Sequence, residues 1–257
     1  MSSAALSILA ILQARVSSTR LPGKVLKPLL GEPMLFRQVE RIQRSGLIDK
    51  LVVATSSDPT DDEIDSECRT RGIACFRGSL DDVLGRFYQA ASAYKPEHVV
   101  RLTGDCPLAD PELIDRIIEF HINGGYDYSS NTLAPTFPDG LDVEVCRFCC
   151  LEQAWQEASL PSQREHVTPF IHQQPLRFCL GSYVNDRDLS YLRWTVDELD
   201  DFEVVTAIYE KLYPGNPDFT TKEILSFLDN NPEISTRNLH HMRNVGYVNS
   251  LARERGI

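Results

Sequence analysis

Between residues 6 and 124, short apolar runs alternate with amphipathic stretches of helical period. That alternation confines the chain to an α/β fold with a mainly parallel sheet. Strands are predicted over residues 6–12, 51–55, 73–76 and 98–102. A helix predicted over 33–45 places Leu35, Phe36, Val39 and Ile42 on one face and stops at Gly46. Ser79, followed three residues later by Asp82, predicts a capping-box start for a helix reaching about Tyr94. Asp110 before Pro111 predicts an N-cap and first-turn proline, opening a helix with Leu113, Ile114, Ile117 and Ile118 inward and Gly124 past its end.

Beyond residue 125 the alternation becomes irregular. Strands are expected near 141–148 and 176–183 and helices near 151–158 and 164–173, so the region of about 130–190 reads as an insertion or lid. A short strand over 192–196 leads into a long helix over 198–212. A helical tail occupies about 214–257, with helices near 222–228 and 245–253. No repeat, low-complexity run or flexible linker interrupts the 257 residues, which therefore read as a single domain, 1–257.

Hydrophobic residues at 42% and charged residues at 25% are those of an ordinary soluble globular protein, and no run approaches the roughly 20 apolar residues of a membrane span. The apolar stretch 4–12 has no basic residue before it, so a buried strand is a better reading than a signal peptide. Seven cysteines, an odd number, point to free thiols in a reducing cytoplasm. Cys146 and Cys149 form a CxxC beside Cys150, but without a second pair at zinc-site spacing they read as small buried hydrophobes. The net charge of −11 argues against nucleic acid or an anionic membrane as main partner. It is unevenly placed: residues 11–50 carry +5 and the remainder −16. A small polyanion suits the first region, and a divalent cation suits carboxylates of the second.

Three segments carry the chemistry. The stretch from Gln13 to Lys24 follows the first strand directly, where the ligand crevice of an open α/β sheet lies. Its single glycine fits neither GxGxxG nor GxxxxGK[ST]. It supplies Arg15, Arg20 and Lys24 with hydroxyls between them, suited to several phosphates and to charge on a departing one. Arg101-Leu102-Thr103-Gly104-Asp105-Cys106-Pro107-Leu108 ends the fourth strand, where Asp105 is either a metal ligand or a turn aspartate. Arg193-Trp194-Thr195-Val196-Asp197-Glu198 places Asp197 at a strand end, as helix N-cap, as second metal ligand, or as both.

The Gln-Ala-Arg…Ser-Thr-Arg-Leu-Pro-Gly-Lys loop, the Gly-Asp-Cys-Pro turn and the Val-Asp-Glu start of the late helix resemble the cytidylyltransferases that make CMP-activated acidic sugars. These are the CMP-Kdo and CMP-acylneuraminate synthetases, and in particular the spore coat polysaccharide (SpsF) branch. The resemblance spans about residues 8–213. It implies a Rossmann-like nucleotidyltransferase domain with a smaller insertion that forms a homodimer. It implies transfer of CMP from CTP to an acidic sugar, Kdo-like or nonulosonate-like, with pyrophosphate release for surface polysaccharide biosynthesis. Carried over by residue, it makes Arg15, Lys24 and Asp105 catalytic and gives the nucleotide Gln13, Ala14, Arg15, Ser18, Arg20, Lys24, Thr103 and Asp105. It assigns Mg²⁺ to Asp105 and Asp197.

The segment from Phe76 to Phe87 follows the SpsF branch and puts Arg77 and Ser79 near the base, although Asp82 and Arg86 equally suit a helix-surface ion pair. The segments 137–145 and 164–169 suit the sugar side of the cleft. With Asn131, their candidates are Asp139, Asp142, Glu144, Arg164 and His166. Asp139-Gly140 also reads as a turn, and His166 as a structural histidine.

Asp186-Arg187-Asp188 is a DxD, the metal motif of nucleotide-sugar glycosyltransferases, in a polar stretch that reads as a solvated turn. A glycosyltransferase using that motif and a catalytically silent nucleotide-binding subunit are the rival readings.

Overall fold

Ile8 to Leu12 are buried without a break, the pattern of a strand covered on both faces. That strand lies inside a seven-stranded sheet. The computed structural model describes residues 8–254; the expected strand's first two positions, Leu6 and Ser7, and the last three of the expected tail lie outside them. In chain order the first elements are β1 (Ile8–Gln13), the short β2 (Pro28–Leu29) and β3 (Glu32–Pro33), α1 (Met34–Ile42), β4 (Lys50–Ser56), α2 (Asp62–Thr70), β5 (Ala74–Gly78), α3 (Val83–Ser92), β6 (His98–Thr103) and α4 (Pro111–Gly124). There follow β7 (Tyr128–Ser130), β8 (Glu144–Arg147), α5 (Phe148–Glu157), α6 (Pro161–His166), α7 (Pro169–His172) and β9 (Leu180–Ser182). The chain continues through α8 (Leu199–Leu212), α9 (Thr221–Asp229), α10 (Pro232–Ser235) and α11 (Val245–Glu254).

The sheet order is β5-β4-β1-β6-β8-β7-β9. The first four strands pair in parallel, β8 runs antiparallel to both neighbours, and β9 is parallel to β7. Alternate strand residues feed two cores. Ala10, Leu12, Val53 and Val100 pack with α1, α4 and α8, whereas Leu9, Ile11, Val52 and Val99 pack with α3 and α5. The result is an α/β three-layer fold.

Several boundaries differ from the sequence expectation, each for a local reason. Residues 192–196 form no strand: their one β-bridge pairs Asp139 with Arg193, and the amides of Trp194, Thr195 and Val196 go to the Asp139 and Asp105 carbonyls. Residues 141–143 stay out of the β8 ladder because the Asn131 side chain takes their backbone groups, donating to the Leu141 carbonyl (2.7 Å) and accepting from the Val143 amide (2.9 Å). The helix expected over 164–173 is two short ones, broken where Val167 adopts φ 73°. Asp82, not Ser79, caps α3, its carboxylate accepting from the Gly85 amide. Asp110 caps α4 as expected, but Gly124 is its last residue and Gly125, at φ 65°, ends it. Asp197 is not the cap of α8: Glu198 is, in a capping box with Asp201.

The strongly basic segment 11–50 also divides. Arg37 is spent on the Leu29 and Leu30 carbonyls and Arg41 on the Ala109 and Phe219 carbonyls. Their charge fixes loops. Arg15, Arg20 and Lys24 remain for the crevice.

Candidate active site

The β1–β6 register sets Gln13 beside Thr103, so the loops leaving both strands start as neighbours. The Gly104 amide donates to the Gln13 carbonyl at 2.7 Å. A Cβ at Gly104 would lie 2.9 Å from that oxygen and 3.0 Å from the Ala14 Cβ, so the close approach needs glycine. On the other side, the Val196 amide donates to the Asp105 carbonyl (2.7 Å) and the Thr195 amide to the Asp139 carbonyl (2.8 Å). Gly140, at φ 109°, lies so close that a side chain there would strike the Thr195 and Trp194 backbone. Two glycines thus let three distant segments converge on Asp105.

At that point the Lys24 ammonium bridges two carboxylates. Its Nζ lies 3.1 Å from Asp105 Oδ2 and 2.9 Å from Asp197 Oδ1, and donates to the Val196 carbonyl at 2.8 Å. Burial opposes the charges of Lys24 and Asp105, but their mutual attraction outweighs it. Lys24 is held above its ordinary pKa, and Asp105, with help from Thr103 and Cys106, is held down at about 2. Arg20 reaches Asp197 Oδ1 at 2.8 Å. Arg193 reaches Asp197 Oδ2 at 3.1 Å, Asp139 at 2.9 Å and Asp201 at 2.8 Å.

Two cavities meet here, sharing Arg20, Thr103, Asp105 and Asp197 on their walls. The smaller, 360 Å³, is lined by the loop residues Gln13, Ala14, Arg15, Ser18, Arg20 and Lys24, with Arg253 from α11. Among the described residues Arg15 has no ion pair, and Gln13 Oε1 is buried without a hydrogen-bond partner. The larger, 460 Å³, is lined by Asp139, Asp142, Glu144 and His166 together with Arg101, Tyr128, Thr168, His172 and Tyr247. Glu144 is fixed by Arg101, Tyr128 and Thr168. Burial works against its charge, but these partners hold its carboxyl below the usual range. Burial raises the Asp142 pKa to about 7 and lowers those of His166 and His172.

Four expected residues are placed elsewhere. Arg77 turns to the Ser56 and Asp58 carbonyls, both at 2.9 Å, and to Asp62 at 2.6 Å. Ser79 accepts from the Asp82 amide at 3.1 Å. Asn131 is consumed by the backbone of 141–143, and Arg164 binds Asp82 and the Trp155 carbonyl (2.7 Å). None of the four lines either cavity. Asp186 and Asp188 are exposed, the latter accepting from the Ser190 amide, so the DxD is a surface turn.

Other residues of the site carried no sequence signal of their own. Asp61, buried, accepts from the Val16 amide at 2.7 Å and pins the cationic loop. Arg193 lies in the extended strip before α8, and only the fold brings its guanidinium onto Asp139, Asp197 and Asp201 together. Tyr128, Thr168 and His172 reach the cavity from elements the periodicity left vague.

A parallel sheet whose strand ends present a cationic loop opposite two convergent carboxylates, at the meeting of two cavities, is the architecture of a nucleotidyltransferase. The chain belongs to the cytidylyltransferase family, whose model matches residues 9–222. It is 38% identical over 242 residues to the spore coat polysaccharide biosynthesis protein SpsF of Bacillus subtilis, covering 89% of this chain and 97% of that one. It is also 38% identical over 115 residues to the 3-deoxy-manno-octulosonate cytidylyltransferase of Geobacter sulfurreducens, covering 44% of each. Among solved structures, a cytidylyltransferase from Leptospira borgpetersenii superimposes with a TM-score of 0.86 at 30% identity, covering 92% of this chain and 98% of that one. No helix among the described residues is long and apolar enough to cross a membrane.

Proposed function

We propose that this enzyme transfers CMP from CTP to a hydroxyl of an acidic sugar, Kdo-like or nonulosonate-like, releasing pyrophosphate in a Mg²⁺-dependent step of surface polysaccharide biosynthesis. The observation that carries this reading is the Lys24 ammonium held between Asp105 and Asp197 where the two cavities meet. Family membership and the similarity to SpsF support it.

The smaller cavity suits the triphosphate. Arg15, free of ion pairs among the described residues, and Arg20 and Lys24 offer charge to the phosphates and to the departing pyrophosphate. Asp105 and Asp197 are hard oxygen donors that already converge on one cation, a donor set that fits Mg²⁺. Bound there, Mg²⁺ supplies polarisation of phosphoryl oxygens and neutralisation of their charge. The larger cavity, whose walls carry carboxylates and hydroxyls, suits a polyhydroxylated acceptor. Its opening onto Asp105 lets a sugar hydroxyl approach the α-phosphate without a covalent enzyme intermediate. The same family resemblance supports a homodimer, and the seven free cysteines support a cytoplasmic location.

The test is pyrophosphate release from each of the four nucleoside triphosphates with Mg²⁺ and a panel of sugar acids. Release with CTP, dependent on one of the acids, is expected. Binding without release supports a silent subunit, and turnover only with a nucleotide sugar supports a glycosyltransferase.

A further inference from the structure

The turn that leaves α10 carries two adjacent histidines, His240 and His241, and folds back onto the start of α8. Polar anchors fix it there. Arg237 pairs with Glu203 of α8 at 2.9 Å. Asn238, buried, donates to Asp201 of α8 at 2.8 Å and to the Arg193 carbonyl at 2.9 Å. The His241 amide in turn donates to the Asn238 carbonyl at 3.2 Å. Both imidazoles are thereby held at Asp200, the neighbour of Asp201.

The two Nε2 atoms lie at the same distance, 3.6 Å, from one oxygen, Asp200 Oδ2, and the ring centroids are 3.9 Å apart. At that length neither nitrogen makes a hydrogen bond to the carboxylate, and His241 Nε2 is buried without any hydrogen-bond partner. A proton joining one histidine to Asp200 would draw that nitrogen in to about 2.8 Å and leave the other outside. A metal ion accounts for both distances. With ligand bonds of about 2.0–2.1 Å, tetrahedral coordination sets neighbouring donors about 3.4 Å apart. The three donor atoms here lie within 4.8 Å of one another, and His240, 61% exposed, has the freedom to complete the set. Two imidazoles and one carboxylate favour a zinc-class ion over Mg²⁺ or Ca²⁺, which take oxygen ligands. None of the three residues lines either cavity, so the cluster is separate from the Asp105–Asp197 junction.

We propose that Asp200, His240 and His241 form a binding site for a zinc-class divalent ion, with solvent as the fourth ligand, and that the ion clamps the chain beyond residue 236 to the start of α8. That segment lies outside the family match, which ends at residue 222. It nevertheless supplies Val245, Gly246 and Tyr247 to the larger cavity and Asn249 and Arg253 to the smaller. Ser250 is the buried residue of α11, so apolar packing does little to hold this wall in place. An ion joining it to α8 raises the free energy of its local opening.

The test is equilibrium dialysis against Zn²⁺ of the full-length protein, stripped of metal and free of any polyhistidine tag, with excess Mg²⁺ to saturate oxygen-donor sites. One equivalent should bind, and Co²⁺ in its place should give the strong visible absorption of a four-coordinate site. His241→Gln and Asp200→Asn should each weaken zinc binding at least tenfold, whereas Asp105→Asn should leave it within twofold. Zinc should also slow tryptic cleavage after Arg237 and Arg243 by about fivefold or more in the wild-type protein, and not in His241→Gln. No zinc uptake by the wild-type protein, undiminished uptake by His241→Gln and Asp200→Asn, or loss of uptake in Asp105→Asn overturns the site. Uptake that depends on the three residues but leaves tryptic cleavage unchanged overturns the clamp. Circular dichroism reports that the variants fold.

Discussion

Lys24 and Asp197 stand 173 positions apart in the chain and meet at 2.9 Å, with Asp105 on the same ammonium. Asp197 is placed by backbone, not by its own helix: the Val196 amide is fastened to the Asp105 carbonyl, and the Asp197 amide to the Asp201 carboxylate. The distance between the two carboxylates is therefore set by main-chain hydrogen bonds, which tolerate little drift.

On the proposed function, replacing Lys24 with Met, or Asp105 with Asn, removes an electrostatic element acting on phosphate charge. The expected loss in kcat/KM is roughly 2.7–4 kcal/mol, about 10²–10³-fold. Steady-state pyrophosphate assays check the rate, and circular dichroism checks that the fold survives.

Arg193→Met should damage stability more than chemistry. The side chain is buried and neutralises Asp139, Asp197 and Asp201. Removing the cation leaves buried carboxylates uncompensated, at a cost of about 3–5 kcal/mol. Urea unfolding measures it, and an unchanged midpoint contradicts the assignment.

Gly140→Ala combines a left-handed backbone, φ 109°, with a steric collision against the Thr195 and Trp194 backbone. The expected outcome is a destabilised protein with impaired acceptor turnover, because the collision displaces Asp139 and the 193–196 strip together. Thermal unfolding together with acceptor KM reads both effects.

Much of this was legible in the sequence. The strands β1, β4 and β6 are buried enough that apolar runs mark them, and the cationic loop and Asp105 fall at strand ends. What was hidden has physical causes. The 192–196 strip looks like a strand because Leu192, Trp194 and Val196 alternate inward, yet its amides go to Asp105 and Asp139 instead of a ladder. Arg77 and Arg164 are cations in suggestive segments whose guanidinium groups are claimed by nearby carbonyls and carboxylates. Tyr247 and Arg253 lie beyond the region the motifs cover, and only tertiary packing returns them to the cavities.

Acid should weaken the fold through a buried histidine pair. His121 Nε2 lies 3.0 Å from His98 Nδ1, and its Nδ1 lies 2.9 Å from Ser129 Oγ. Burial, with His98 and Arg147, pushes the His121 pKa down to about 3. The native state binds this proton less readily than the unfolded chain does, with its value near 6.5. Stability from this group is therefore present above pH 6.5 and falls as the pH drops toward 3, by the order of a few kcal/mol. His121→Gln should flatten that slope in urea midpoints measured at pH 7.5 and pH 5.0.

The central claim is that the cation–carboxylate junction transfers a cytidylyl group, and following the label of α-³²P CTP tests it most directly. With Mg²⁺ and an accepted sugar acid, the label should pass into a CMP–sugar product in the wild-type protein and remain in CTP with Asp105→Asn. Label appearing as free CMP, or equal transfer by the variant, would contradict the account.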